Sequence, residues 1–125
     1  MDDRASRAAT DVLVERRRQI DEEGWTPNHD DGHALGELAR AGATYAIMSV
    51  SGRNIRGGFA ERRANGAGLA VDYLWPWETE WLKLSTPRRD LVKAAALILA
   101  EIERLDRISR DADALDGRDD RIEAL

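Results

Sequence analysis

Cysteine is absent from the chain, which excludes a disulfide framework, thiolate zinc sites and thiol catalysis. Long apolar runs are missing too. The longest, Ala94 to Ala100, is seven residues, against the about 20 that span a bilayer, so no membrane partner is expected. The start, Met1-Asp2-Asp3-Arg4, is acidic and leads into no apolar h-region, so no secretory signal is expected and the cytoplasm is the default location. Positive charge is not in excess: 19 basic against 24 acidic side chains give −5. That balance argues against binding extended nucleic acid by general attraction. Sustained alternation with β-branched residues is also lacking, so the class expected is all-α, a small antiparallel helical bundle.

What is present is charge divided along the chain. Residues 1–33 and 111–125 each carry −4, whereas 34–75 carry +2 and 76–110 carry +1. An anionic small molecule therefore meets its best potential in the middle. The length of 125 residues suits one domain. We read residues 1–110 as that helical domain, with a Gly- and Arg-rich loop inserted at 51–70, and 111–125 as a solvated acidic tail.

Apolar positions Ala8, Ala9, Val12, Leu13 and Ile20 predict a first helix over 5–21, closed by Gly24. A second is expected over 32–50, capped by Asp31, with Leu35, Leu38, Ala39, Gly42, Tyr45 and Ala46 on its inner stripe. Residues 71–84 read as an irregular element with one helical turn. Thr86-Pro87 then supplies an N-cap and a first-turn proline for a helix over 87–110. Its Leu91, Ala95, Ile98, Ile102 and Leu105 repeat by 4, 3, 4 and 3, which predicts the core stripe. A second row, Val92, Ala96 and Leu99, widens the face beyond one partner helix, so a homo-oligomer, a dimer or larger, is expected.

Five constellations could carry chemistry. His29, Asp30, Asp31 and His33 offer two imidazoles and two carboxylates to a metal. The His-Asp phosphohydrolase pattern fails for want of a histidine upstream of His29, and capping by Asp31 is the simpler role. Arg88 and Arg89 stand in the first turn of the last helix, where the dipole disfavours cations, with Lys83 before them and Lys93 one turn on. Such a set suits a phosphate, unless Glu78, Glu80 and Asp90 neutralise it. Trp75, Trp77 and Trp81 lie next in sequence; their faces could stack on a nucleobase, or they could seal the end of the bundle. Glu37, Asp90 and Glu101 are the acids considered for Mg²⁺. Finally, Glu15 to Glu23 pairs acids with Arg18 and reads as a solvated face, unless helices 1 and 4 are neighbours and its arginines converge with Arg88.

Taken together, Glu15-Arg-Arg-Arg-Gln, Gly24-Trp25, His29-x-Asp31-Gly32, Gly36-Glu37-Leu38-Ala39 and Arg89-Asp90-Leu91-Val92-Lys93-Ala94-Ala95 through Glu101 to Arg107 form a pattern. It resembles small phage and prophage proteins related to the MazG-like nucleoside triphosphate pyrophosphohydrolases. The resemblance implies an all-α NTP pyrophosphatase bundle that oligomerises. It also implies cleavage of a triphosphate to monophosphate and pyrophosphate, with Mg²⁺ held by E-E-x-x-E and E-x-x-D motifs. Glu37 and Asp90 match the first acid of each motif, whereas Leu38, Ala41 and Lys93 occupy the other acidic positions. Three of five carboxylates are thus replaced, and Lys93 puts a cation where a cation would bind. The expectation is a nucleotide-binding bundle, a phage accessory or anti-defence protein, with ligand contacts from Trp75, Trp77, Trp81, Lys83, Arg88, Arg89 and Lys93. A Mg²⁺-dependent hydrolase and a non-catalytic protein that docks a partner through its basic loop are the alternatives.

Overall fold

The computed structural model describes residues 5–50 and 72–116, and these are helical with no strand among them. Four α-helices are labelled here: α1 (Arg7–Glu23), α2 (Pro27–Asp31), α3 (Glu37–Ser49) and α4 (Pro87–Asp116). A 3₁₀ turn, Thr79–Trp81, interrupts the segment before α4. The Gly/Arg-rich loop at 51–70 and the last nine residues of the acidic tail lie outside the described residues.

Local chemistry sets the helix ends. The Ser6 hydroxyl accepts the Ala9 N–H at 3.0 Å to start α1. Gly24 ends it at φ +74°, a conformation that costs a residue with a Cβ and is free for glycine. Thr26 and Thr86 do the same work at two helices: each hydroxyl accepts an N–H three residues on, from His29 and Arg89, and a proline follows each.

Two boundaries depart from expectation. The second predicted helix begins five residues late, because Gly36, at φ +83°, is the N-cap of α3, and Thr26-Pro27 nucleates a separate short helix, α2, just before the predicted start. Asp31 therefore ends α2 and caps nothing; its carboxylate takes the Arg107 guanidinium at 2.8 Å. Leu35 falls in the intervening turn and is 84% exposed, so it leaves the stripe. At the other end α4 runs on through Asp116, six residues into the expected tail.

Helix α4 is the centre: α3, α1 and α2 all pack on it. α3 runs antiparallel to α4, with Glu37 near Arg104, Gly42 against Ala94 and Ile98, and Tyr45 under Lys93. A Cβ at Gly42 would come within 2.9 Å of Ile98 Cγ1 and 3.1 Å of the Ala94 carbonyl, so glycine permits the close approach. α1 lies across α4 from the first turn, where Asp11 meets Arg88, to the middle, where Arg16 meets Glu103. The core joins Leu38, Ala41, Tyr45 and Met48 of α3 to Ala94, Leu97 and Ala100 of α4, with Trp75 closing one end.

The buried face of α4 is not the predicted one. Asp90, Ala94, Leu97, Ala100 and Arg104 face inward, together with Val92 and Ala96 of the second row. Leu91, Ile98, Ile102 and Leu105 are between 42% and 50% exposed. Small alanines let α3 come close, and the polar members of the inner row are paired, so aliphatic size alone selected the wrong side.

Candidate functional site

A cleft of about 400 Å³ lies between α1 and the first turn of α4, lined by Asp11, Val14, Glu15, Arg18, Thr86, Arg88, Arg89 and Val92. That volume falls within the range of small-molecule sites. Three guanidiniums face two carboxylates here. Arg88 Nη1 sits 2.9 Å from Asp11, and Arg89 Nη2 donates to Glu15 Oε1 at 2.6 Å. Arg18 grips the same Glu15 through two bonds, at 2.9 and 2.8 Å, and reaches Glu23 at 3.2 Å.

Glu15 is the hub, only 2% exposed. Burial pushes its carboxyl pKa up, but the bonds and charges of Arg18 and Arg89 outweigh that and hold it below the usual 4.5. Reciprocally, Glu15 raises the Arg18 guanidinium's affinity for its proton. Each guanidinium has five N–H donors in a planar fork, more than these contacts use. The lining thus carries three positive charges against two negative, with spare donors beside the start of a 30-residue helix.

Beyond Arg89, Lys93 extends the positive surface. Its ammonium donates to the Lys83 carbonyl at 2.6 Å and stands 5.6 Å from the Tyr45 ring centre. Burial and the Arg89 charge lower its pKa. The Tyr45 hydroxyl accepts the Lys83 N–H at 3.0 Å, and burial pushes that phenol up to about 12. From Tyr45 a ladder of rings continues: Trp75 at 5.7 Å, Trp77 at 5.3 Å from Trp75, and Trp25 at 6.2 Å from Trp77. Trp25 stacks on His29 at 5.9 Å, and His33 bridges His29 and Trp77 at 4.8 and 5.4 Å.

The ladder is anchored from below by a buried ion pair. Asp30, wholly buried, takes the Arg16 guanidinium at 2.7 Å, and the same guanidinium binds the Trp25 carbonyl and Glu103. Asp30 Oδ1 lies 3.1 Å from His29 Nδ1. With Asp30 committed to Arg16 and Asp31 to Arg107, the tetrad at 29–33 works as structure.

The predicted ligand residues are dispersed by this arrangement. Arg88 and Arg89 share the cleft with Arg18, and Lys93 lies beside them. Trp75 is in the core, its Nε1–H donating to the Glu78 carbonyl at 2.9 Å. Trp77 packs against that core, whereas Trp81 stands exposed on the 3₁₀ turn. Lys83 is exposed, and its backbone carries the contacts just described. Arg88 and Arg89 pair with Asp11 and Glu15 of α1.

Residues for a Mg²⁺ ion were tested on the donors present. Glu37 accepts the Leu35 N–H at 2.7 Å and pairs with His33 at 3.6 Å. Asp90 is wholly buried and accepts the Ser85 N–H at 2.8 Å. Among the described residues no group of three or more His, Asp or Glu is placed to hold an ion.

The solvated face expected on helix 1 is overturned, since Glu15, Arg16 and Gln19 are all buried. Gln19 Oε1 is buried with no hydrogen-bond partner among the described residues, a loss of roughly 1–3 kcal/mol. Sequence held one clue to this row. Val12, Arg16 and Gln19 follow at helical spacing, so the inner stripe of α1 had to include polar residues. No protein-family model, curated protein or solved structure matches the chain.

Proposed function

We propose that this protein binds a nucleotide or nucleotide-derived anion, with its phosphates in the cleft between α1 and the first turn of α4. One observation carries the proposal: three guanidiniums, Arg18, Arg88 and Arg89, converge on one cavity of about 400 Å³, whose lining holds the carboxylates of Asp11 and Glu15, with Glu23 reaching Arg18 from outside it. A phosphate would compete with Asp11 and Glu15 for donors, and planar forks suit its oxygens. Lys93 sits on the same side, where the MazG-like pattern would carry an acid. Such a bundle, with its metal-binding acids replaced, suits a phage accessory protein that sequesters a nucleotide.

The test is to incubate the purified chain with a mixed NTP and dNTP pool and Mg²⁺, desalt it, denature it and chromatograph both fractions. Intact nucleotide released from the denatured protein supports binding. Monophosphate with pyrophosphate in the filtrate would establish the hydrolase instead. Nothing in either fraction would reject both and favour docking of a protein partner.

A further inference from the structure

Helix α4 presents to solvent a stripe that the described residues cover only by about half. Leu91, Ile98, Ile102 and Leu105 stay between 42% and 50% exposed, with Ala95 and the partly buried Leu99 among them. Branched aliphatics in an unbroken row over about 21 Å are rare on the surface of a monomer and mark sites of association. Their spacing of 4, 3, 4 and 3 is that of a coiled-coil seam, which fits another helix of the same repeat.

The lengths of the helices point the same way. α4 has 30 residues, whereas α1 has 17 and α3 has 13. At about 1.5 Å per residue it outreaches α1 by about 20 Å and α3 by about 26 Å, and Ile108 and Leu115 on the overhang are 51% and 89% exposed. A helical stretch that short has little stability of its own in water.

We infer that the covering partner is a second copy of this chain, its α4 laid antiparallel along the same stripe. In that register Ala95 faces Leu105 of the second copy and Ile98 faces Ile102, so these four positions match themselves about residue 100, while Leu91 faces Ser109. Charge selects the direction. The first turns hold Arg88, Arg89, Asp90 and Lys93, a balance of +2, whereas 106–116 hold four acids and two arginines, −2. Antiparallel packing sets the positive end against the negative one. Parallel packing would lay acidic ends together and set Glu101 of one copy beside Asp106 of the other. This inference stands on the exposed stripe and is independent of the ligand proposed above.

Multi-angle light scattering on the full chain, with and without Ile102→Glu, tests the association. A monomer is 14.0 kDa. The wild type should weigh twice that at micromolar concentration, and Ile102→Glu should weaken association about a hundredfold, while retaining its helical circular dichroism. Leu35→Glu, 84% exposed in the turn before α3 and not on α4, should leave the dimer intact. With no native cysteine, a spin label on Arg110→Cys then reads the direction. Antiparallel helices place two labels about 30 Å apart along the axis; parallel ones hold them side by side, with axes about 10 Å apart. A monomeric wild type, a dimer indifferent to Ile102→Glu, or the short label distance would each overturn the inference.

Discussion

Arg89, in the first turn of α4, reaches across to Glu15 on α1 at 2.6 Å, and the carboxylate it meets is almost entirely removed from water. The contact ties the basic helix start to a stripe of α1 that sequence alone assigns to solvent. It also makes a buried charge depend on guanidiniums that remain open to a cleft. Fold and candidate site are therefore coupled at one carboxylate.

This coupling has a pH signature. The folded pKa of Glu15 lies below its ordinary 4.5, so its contribution to stability is complete above that value and is lost as pH falls through the folded pKa. Denaturant unfolding followed between pH 7 and pH 3 should show stability declining at the acid end. Glu15→Gln should flatten this decline while lowering stability at pH 7, because Arg18 and Arg89 then lose their counter-charge.

Asp30→Ala should be among the most damaging single substitutions. It removes the buried partner of Arg16, which is itself 5% exposed, and leaves a guanidinium without its closest compensation. Breaking such a pair costs about 3–5 kcal/mol. Urea unfolding should report that loss; a change within the range of an ordinary surface substitution would contradict the role given to this pair.

Gly42→Ala tests the α3–α4 contact. The added methyl would lie 3.1 Å from the Ala94 carbonyl, and a backbone atom cannot rotate aside as the Ile98 side chain can. Overpacking of this kind costs about 1–3 kcal/mol, more than the gain in helix propensity of about 1 kcal/mol over glycine. Thermal unfolding should show a lower midpoint, and a raised one would show that the helices separate easily.

Much of the architecture was legible because helix signals are local. Gly24 ends α1, and Thr86-Pro87 starts α4, each through chemistry contained within a few residues. Thr26-Pro27 carries the same signal as Thr86-Pro87, yet it was masked by the polar run at 28–33, and α2 was absorbed into a loop. The facing of the helices was less legible. On α4, Asp90 and Arg104 turn inward, while Ile98 and Ile102 turn out. Which row is buried depends on Gly42 and on partners for the charges, and those are distant in sequence.

For the candidate site, sequence placed Arg88 and Arg89 by their unusual position at a helix start, and the cleft contains both. From helix 1 it offered the arginines, on condition that the two helices are neighbours, and Arg18 does meet Arg88 in the cleft. It did not supply Asp11 and Glu15, more than 70 positions before the arginines they pair with. Nor did it separate the tryptophans: Trp75 is core and Trp81 is exposed, although only six positions divide them. Their difference arises from the 3₁₀ turn and from Tyr45, neither of which a local pattern reveals.

Calorimetric titration of individual NTPs and dNTPs into the wild type and Arg88→Gln tests the central claim most directly. Arg88 is half exposed and pairs at the surface with Asp11, so its replacement should spare the fold. At least one nucleotide should bind the wild type with micromolar affinity, and Arg88→Gln should bind it about tenfold more weakly, as expected for one charge-assisted contact. Heat of binding for no nucleotide, or equal affinity in the two proteins, would contradict a phosphate seat in this cleft.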